Sequence, residues 1–434
     1  ISRSGTNQLH GSVFWGNFNS FLSARSWADQ TAPSFTNSNE FAITNGGPVI
    51  LPKIYNGKDR TFYFFSYGGQ RYRIGNRQYL TLPTDAFREG DFSAIAGSTT
   101  IVDPLTGLPF PGNKIPSSRI SAVSQKVQSL LYPQANLTGV GVFGYNNYYK
   151  DPGGQFNSVV YSWRVDHKIS DRNYLFVRYG WTKTNQDYYA GALLDGNGSG
   201  NEKDNFPSNF IVISDTHSFT PSLVNEAKIG FSRLSYAITD INYGKDYLSQ
   251  LGINGISNPG NDPAIAGMPE FDFNGGVPFA GTGAENIASQ AQNTFEWVDN
   301  LSWFRGRHTW KAGFDIRRYQ INDENKPQSL RGQYAFDDQL SGFSYANFLL
   351  GLPSGATRSI ARPNAYARSS EFGFYLQDDF KLAQRITLNY GLRYEYQTPW
   401  VEKYNRLYTF DPSMNAIVTA GNTLPTDLVP AVVA

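Results

Sequence analysis

Hydrophobic residues recur at every second position over much of the chain. In residues 156–184, Val159, Tyr161, Trp163, Val165 and Ile169 take the odd positions, and Ser158, Ser162, Arg164, Asp166 and Lys168 the even ones. After a polar turn at Ser170, Asp171 and Arg172, Leu175, Val177, Tyr179 and Trp181 alternate with Arg178 and Gly180. Side chains alternate faces along a strand, so the segment predicts a hairpin with one apolar and one wet face.

The same period returns downstream. Leu223, Ala227, Ile229 and Phe231 oppose Glu226, Lys228 and Ser232. Phe295, Trp297, Leu301 and Trp303 precede a tight turn at Arg305-Gly306. His308, Trp310, Ala312, Phe314 and Ile316 follow it, against Thr309, Lys311, Asp315 and Arg317. Phe372, Phe374, Leu376 and Phe380 lead into a turn near Leu382-Ala383-Gln384. Ile386, Leu388, Tyr390, Leu392 and Tyr394 then oppose Thr387, Asn389, Gly391, Arg393 and Glu395. Segments 10–18, 41–49 and 60–70 read as shorter or less regular strands, on β-branched and aromatic enrichment.

Connections of two or three residues alternate with long ones rich in Gly, Asn, Asp and Pro. The long segments lie near 83–155, 183–207, 238–289 and 322–368. Within the first, Val123, Val127, Leu130 and Leu131 stand at helical spacing and Pro133 ends the run. The run at 344–351, "SYANFLLG", also suits a short helix. Short turns at one end and long loops at the other are the mark of an outer-membrane barrel, with short periplasmic turns and long extracellular loops.

Charge places the wet face. Leaving Arg164, Asp166, Lys168, Arg178, Glu226, Lys228, Lys311, Asp315, Arg317, Arg393 and Glu395 unpaired in a packed core would be costly. These residues are therefore the candidates to face a wet lumen. Val159, Tyr161, Trp163, Val165, Trp310, Phe314, Leu388 and Leu392 are the candidates to face outer-membrane lipid. The expected fold class is all-β, an antiparallel transmembrane β-barrel present only in part. Its alternative is a secreted or surface-attached β-rich adhesion or carbohydrate-binding protein.

Composition sharpens this little. The chain has 434 residues, 40% hydrophobic, 15% aromatic and 17% charged, with a net charge of +1. Mean hydropathy is −0.42, which a barrel tolerates because only every second residue need be apolar. Near-neutral charge gives no reason to expect nucleic-acid binding. The absence of Cys excludes disulfides and thiolate metal sites. Four His occur, at 10, 167, 217 and 308, with no HExxH spacing, no GxSxG elbow and no phosphate-binding loop. No catalytic residue, cofactor or metal site is expected. The Asp- and Asn-rich loop at 193–205 does not fit an EF-hand and reads as a solvated turn.

A set of ordered fragments adds a resemblance. "SGTNQLHGSVF" (4–14), "NGGPVI" (45–50), "RTFYFFSYGGQR" (60–71), "LPTDAFREGDFS" (82–93), "DPLTGLPFPGNKIPSSRIS" (103–121) and "YANFLLGLP" (345–353) resemble, in order, Oar-like TonB-dependent outer-membrane receptors. The first resembles the junction of plug and barrel. The resemblance implies a 22-stranded barrel filled by an N-terminal plug, which imports a scarce nutrient with energy passed on by TonB. In the Oar-like group a carboxypeptidase-regulatory-like domain usually precedes the plug. Residues 1–9 would then end the plug, and 10–434 would form roughly the first half of the barrel. The TonB-contacting segment would lie outside this chain. The ligand, whether siderophore, glycan or peptide, is left open.

Overall fold

The computed structural model describes residues 3–25, 27, 34–189, 201–256, 258, 261–324, 326–359 and 364–421. The terminal "LVPAVVA", which carries no strand pattern, lies outside them, as does most of the Asp- and Asn-rich loop. One large antiparallel sheet organises the chain. Its long strands are β1 (His10–Asn19), β2 (Thr36–Pro48), β3 (Thr61–Ile74), β4 (Gly154–Ser170), β5 (Asn173–Tyr189) and β6 (Asn201–Thr220). They continue through β7 (Leu223–Asp240), β8 (Ala288–Arg305), β9 (His308–Asp323), β10 (Ala365–Ala383) and β11 (Ile386–Gln397). Each pairs with the next in sequence, and a short strand at Val401–Glu402 pairs with β10.

The strands are longer than the alternation suggests. β5 continues through residues 183–189 and β6 opens at Asn201, although both stretches had read as loop. Their residues are polar on both faces. Where a strand projects beyond hydrocarbon, water solvates either face and no apolar code is needed. Connections alternate as expected at most ends: two residues join β4 to β5, β6 to β7, β8 to β9 and β10 to β11. Residues 49–60, joining β2 to β3, instead carry a small hairpin of their own, Ile50–Leu51 with Tyr55–Asn56.

Register defines the two faces, because directly paired residues point the same way. One row runs Val165, Val177, Ile213, Ile229, Trp297, Ile316, Phe372, Tyr396 across eight strands. The neighbouring row runs Arg164, Arg178, Val212, Gly230, Glu296, Arg317, Glu371, Gln397. Among the described residues, no second sheet or helix layer packs on either face. Pro48, at the end of β2, is the one buried apolar side chain among the described residues of the eleven long strands.

The core lies in the connections. Residues 75–153, 241–287 and 324–364 converge on one cluster that includes Leu82, Phe87, Phe92, Phe279, Phe343, Tyr345 and Phe348. Four short helices serve it: α1 (Asp85–Arg88), α2 (Ala122–Leu131), α3 (Tyr247–Leu251) and α4 (Ser344–Leu350). Apolar spacing predicted α2 and α4. The Thr84 and Ser121 hydroxyls cap α1 and α2 by accepting backbone N–H groups. Glu270–Phe273, Gln333–Phe336 and Gly355–Thr357 form a small sheet. Together these pieces make a cap at the long-loop end. Among the described residues, no helix is long and apolar enough to cross a membrane, which says nothing of strands.

Candidate functional site

The register gathers the charged candidates onto one face. Arg164 stands opposite Arg178, Glu226 beside Asn300, Lys228 beside Val298, and Lys311 opposite Ser302 and Gln377. Asp315 and Glu395 flank Gly373, while Arg393 stands opposite Tyr375. Val159, Tyr161, Trp163, Val165, Trp310, Phe314, Leu388 and Leu392 all fall on the opposite face. The rings of Tyr161 and Trp181 stack there at 4.7 Å, in the middle of long strands rather than at their ends.

The charged face is a set of local networks. At its densest point Arg317 bonds Glu296 at 2.8 Å across one strand pair and Asp315 at 2.7 Å along its own strand. Its guanidinium is 3.8 Å from Glu371, which also accepts the Tyr319 hydroxyl. Arg393 pairs with Glu395 alongside, and Gly373 leaves the space its guanidinium occupies. Lys228 pairs with Glu226 at 2.8 Å, Lys168 with Asp171 at 2.6 Å, and Lys311 with Asp379 at 3.4 Å. Arg164 and Arg178 lie over the rings of Phe176 and Phe210, at 4.1 and 4.7 Å, so apolar residues on this face are covered by cations. Gly180, paired with Phe210, has no side chain; a Cβ there would meet the ring at 2.3 Å.

At the short-turn end, Asp166 is fully buried on the charged face. Arg164 grips both its oxygens at 2.9 Å, Tyr174 donates its hydroxyl at 2.5 Å, and Ser4 donates at 2.7 Å. Ser4 belongs to the stretch before β1, so that stretch crosses the charged face as far as the fourth strand. Gly5 packs so closely on the backbone oxygens of Gly47 and Tyr63 that no Cβ fits. Sequence reading missed Ser4 as a partner, because nothing local links it to Asp166.

The apolar face has its own polar cluster, also missed. His308 and Tyr390 hydrogen-bond the buried Asp378 carboxylate at 2.6 and 2.7 Å, and His308 stacks on Phe380 at 4.4 Å. His308 starts its strand, one step from the Gly306 turn, where polar groups are expected at a membrane surface. Among the described residues, no group of three His, Asp or Glu stands close enough to hold a metal ion.

The cap is pinned by charge. Arg331 and Asp240, both fully buried, pair at 2.9 Å, and Arg331 also donates to the Ala264 carbonyl. One guanidinium thus ties connection 324–364 to the end of β7 and to connection 241–287. Arg119 grips Asp103 with two bonds, at 2.8 and 2.9 Å, and holds that carboxyl below its usual range. Lys114, 2.6 Å from Asp91, brings its carboxyl down to about 2.

A meander of long antiparallel strands, apolar without a covering layer on one face and charged on the other, is the architecture of a membrane barrel. Residues 1–432 match the family model described as Outer membrane beta barrel domain, and the chain belongs to that family. It is an outer-membrane barrel protein, with strands in contact with lipid, and the family is not one of enzymes. Solved structures with a similar chain path include the outer membrane transporter YddB from Escherichia coli, at 9% identity and TM-score 0.48, covering 92% of this chain and 40% of that one. Others are the ferric enterobactin receptor of Pseudomonas aeruginosa, at 11% identity and TM-score 0.41, covering 93% and 42%, and the ferric preacinetobactin receptor BauA from Acinetobacter baumannii, at 10% and 0.37, covering 94% and 44%. The chain spans about two fifths of the length of these proteins. No curated protein matches its sequence.

Proposed function

We propose that residues 10–421 form part of the barrel of a TonB-dependent, Oar-like transporter that imports a scarce nutrient across the outer membrane. The charged face, from Arg164 to Glu395, lines the lumen, and the face carrying Val159, Phe314 and Leu388 meets lipid. Residues 1–9 are the end of a plug, and TonB engages a segment beyond this chain. The Ser4–Asp166 bond is the observation that carries this: the chain entering β1 lies against the charged face, where a lumen-filling plug would have to arrive. The ionic networks on that face need water or polar protein around them, and a plugged lumen supplies both.

The cap offers a broad outward surface for ligand capture. Its ligand is a small molecule, glycan or peptide. Uptake by cells carrying the full-length gene, with and without TonB, tests the proposal. TonB-dependent growth on one nutrient supports it; TonB-independent leakage makes the protein a passive channel. Recovery in the soluble extracellular fraction would instead favour an adhesion module.

A further inference from the structure

The cap contains an open cavity of about 300 Å³, at the small end of the range for small-molecule sites. Phe271, Phe336 and Phe348 form its floor, with Tyr334, Val123 and Ile253 around them. The rings are already ordered against one another: Phe271 stacks on Tyr334 at 5.8 Å, and Phe348 meets Phe336 edge-on at 5.4 Å. The core behind fixes this floor, because Phe348 also packs on Phe273 and Tyr345. The rim at Gly252, Asn254 and Gly351 is exposed, so the cavity opens to solvent.

Among the described residues, no charged side chain lines the interior, yet two cations stand beside its rim. The Lys126 ammonium lies over Gly252, 3.3 Å from where a Cβ would sit. Arg358 donates to the Gly255 carbonyl at 3.4 Å, next to Asn254 on the rim. Both side chains belong to exposed residues. Aromatic walls select a planar apolar body. Cations at the opening select an anion attached to it.

We propose that this cavity binds a planar aromatic ring bearing a carboxylate, of about the size of indole, with the ring between Tyr334 and Phe348 and the carboxylate toward Lys126 and Arg358. Binding there does not require transport, so this site and the import function stand or fall separately.

The test uses the full-length receptor in lipid nanodiscs, titrated with indole-3-acetate and with tryptamine, which carry the same ring and opposite charges. Indole-3-acetate is expected to bind saturably, at least tenfold more tightly than tryptamine. Val123→Trp, which fills the cavity, should abolish that binding. The double variant Lys126→Glu/Arg358→Glu changes only exposed residues, so it keeps the test decisive if Val123→Trp fails to fold. It should weaken indole-3-acetate at least tenfold and reverse the preference. Lys53→Glu, at the opposite end of the sheet, should change nothing. Equal affinity for the two probes, no saturable binding of either, or a preference unmoved by the double variant would overturn the assignment.

Discussion

Arg331 and Asp240 form an ion pair at 2.9 Å in which neither side chain touches solvent. They lie far apart in sequence and join the cap to the end of a barrel strand. Removing one partner strands the other charge in the interior, which typically costs about 3–5 kcal/mol. Arg331→Met or Asp240→Asn should therefore loosen the cap, read as faster cleavage of the surface connections by an external protease on intact cells. The double variant Arg331→Met/Asp240→Leu should recover much of the loss. If the singles cost no more than the double, the pair is not coupled as described.

The proposed lipid face includes the apolar row through Ile229 and Trp297. Ile229→Lys should destabilise the folded barrel by about 2–4 kcal/mol, the range for a cation near the bilayer midplane. Lys228→Ile, one residue away on the charged face, should have a much smaller effect. Heat-modifiable migration on gels and the folded fraction in isolated outer membranes report both. An indifferent Ile229→Lys would place that face in water.

Phe348 is 1% exposed and packs on Phe271, Phe273, Phe336 and Tyr345. Phe348→Ala should destabilise the cap by about 3–5 kcal/mol through lost contacts and the cavity left behind. Barrel assembly should persist, because no long strand contributes to that core. Equal loss of cap and barrel in the same protease and gel assays would show that they do not separate.

Acid should weaken the cap through Asp91. Its carboxyl is held at about 2 by Lys114, well below the unfolded value of about 3.9. A depressed carboxylate stabilises the folded state fully above the unfolded value, and the gain is lost as pH falls through the folded one. The difference in cap stability between the native protein and Lys114→Met should be largest at neutral pH, shrink below about pH 4 and be gone only below about pH 2. The Asp103–Arg119 pair acts in the same direction. A difference that does not vary with pH would rule out this linkage.

Much of the sheet was legible in the sequence because apolar residues repeat at every second position on one face. Val159, Trp163, Phe314 and Leu388 announced their strands, and Lys311 and Arg393 their common opposite face. The strand ends at 183–189 and 201–207 were not legible, since polar residues on both faces look like loop. The cap was least legible. Phe87, Phe279 and Phe343 come from three connections and meet edge-on at 5.7–6.4 Å, and such contacts leave no period in the sequence. Only the helices α2 and α4, with local apolar spacing, gave warning of it. Within the charged face, alternation identified which residues stand together; pairs such as Arg317 with Glu296 needed the register.

The cap draws its hydrophobic residues from segments separated by as many as six strands, and this sets an order of assembly. Its pieces cannot meet until β4 through β9 have been laid side by side in the correct register. A one-residue slip in any hairpin would displace a connection and leave its phenylalanines facing water. A closed cap is therefore a record that the strands beneath it were laid down in register.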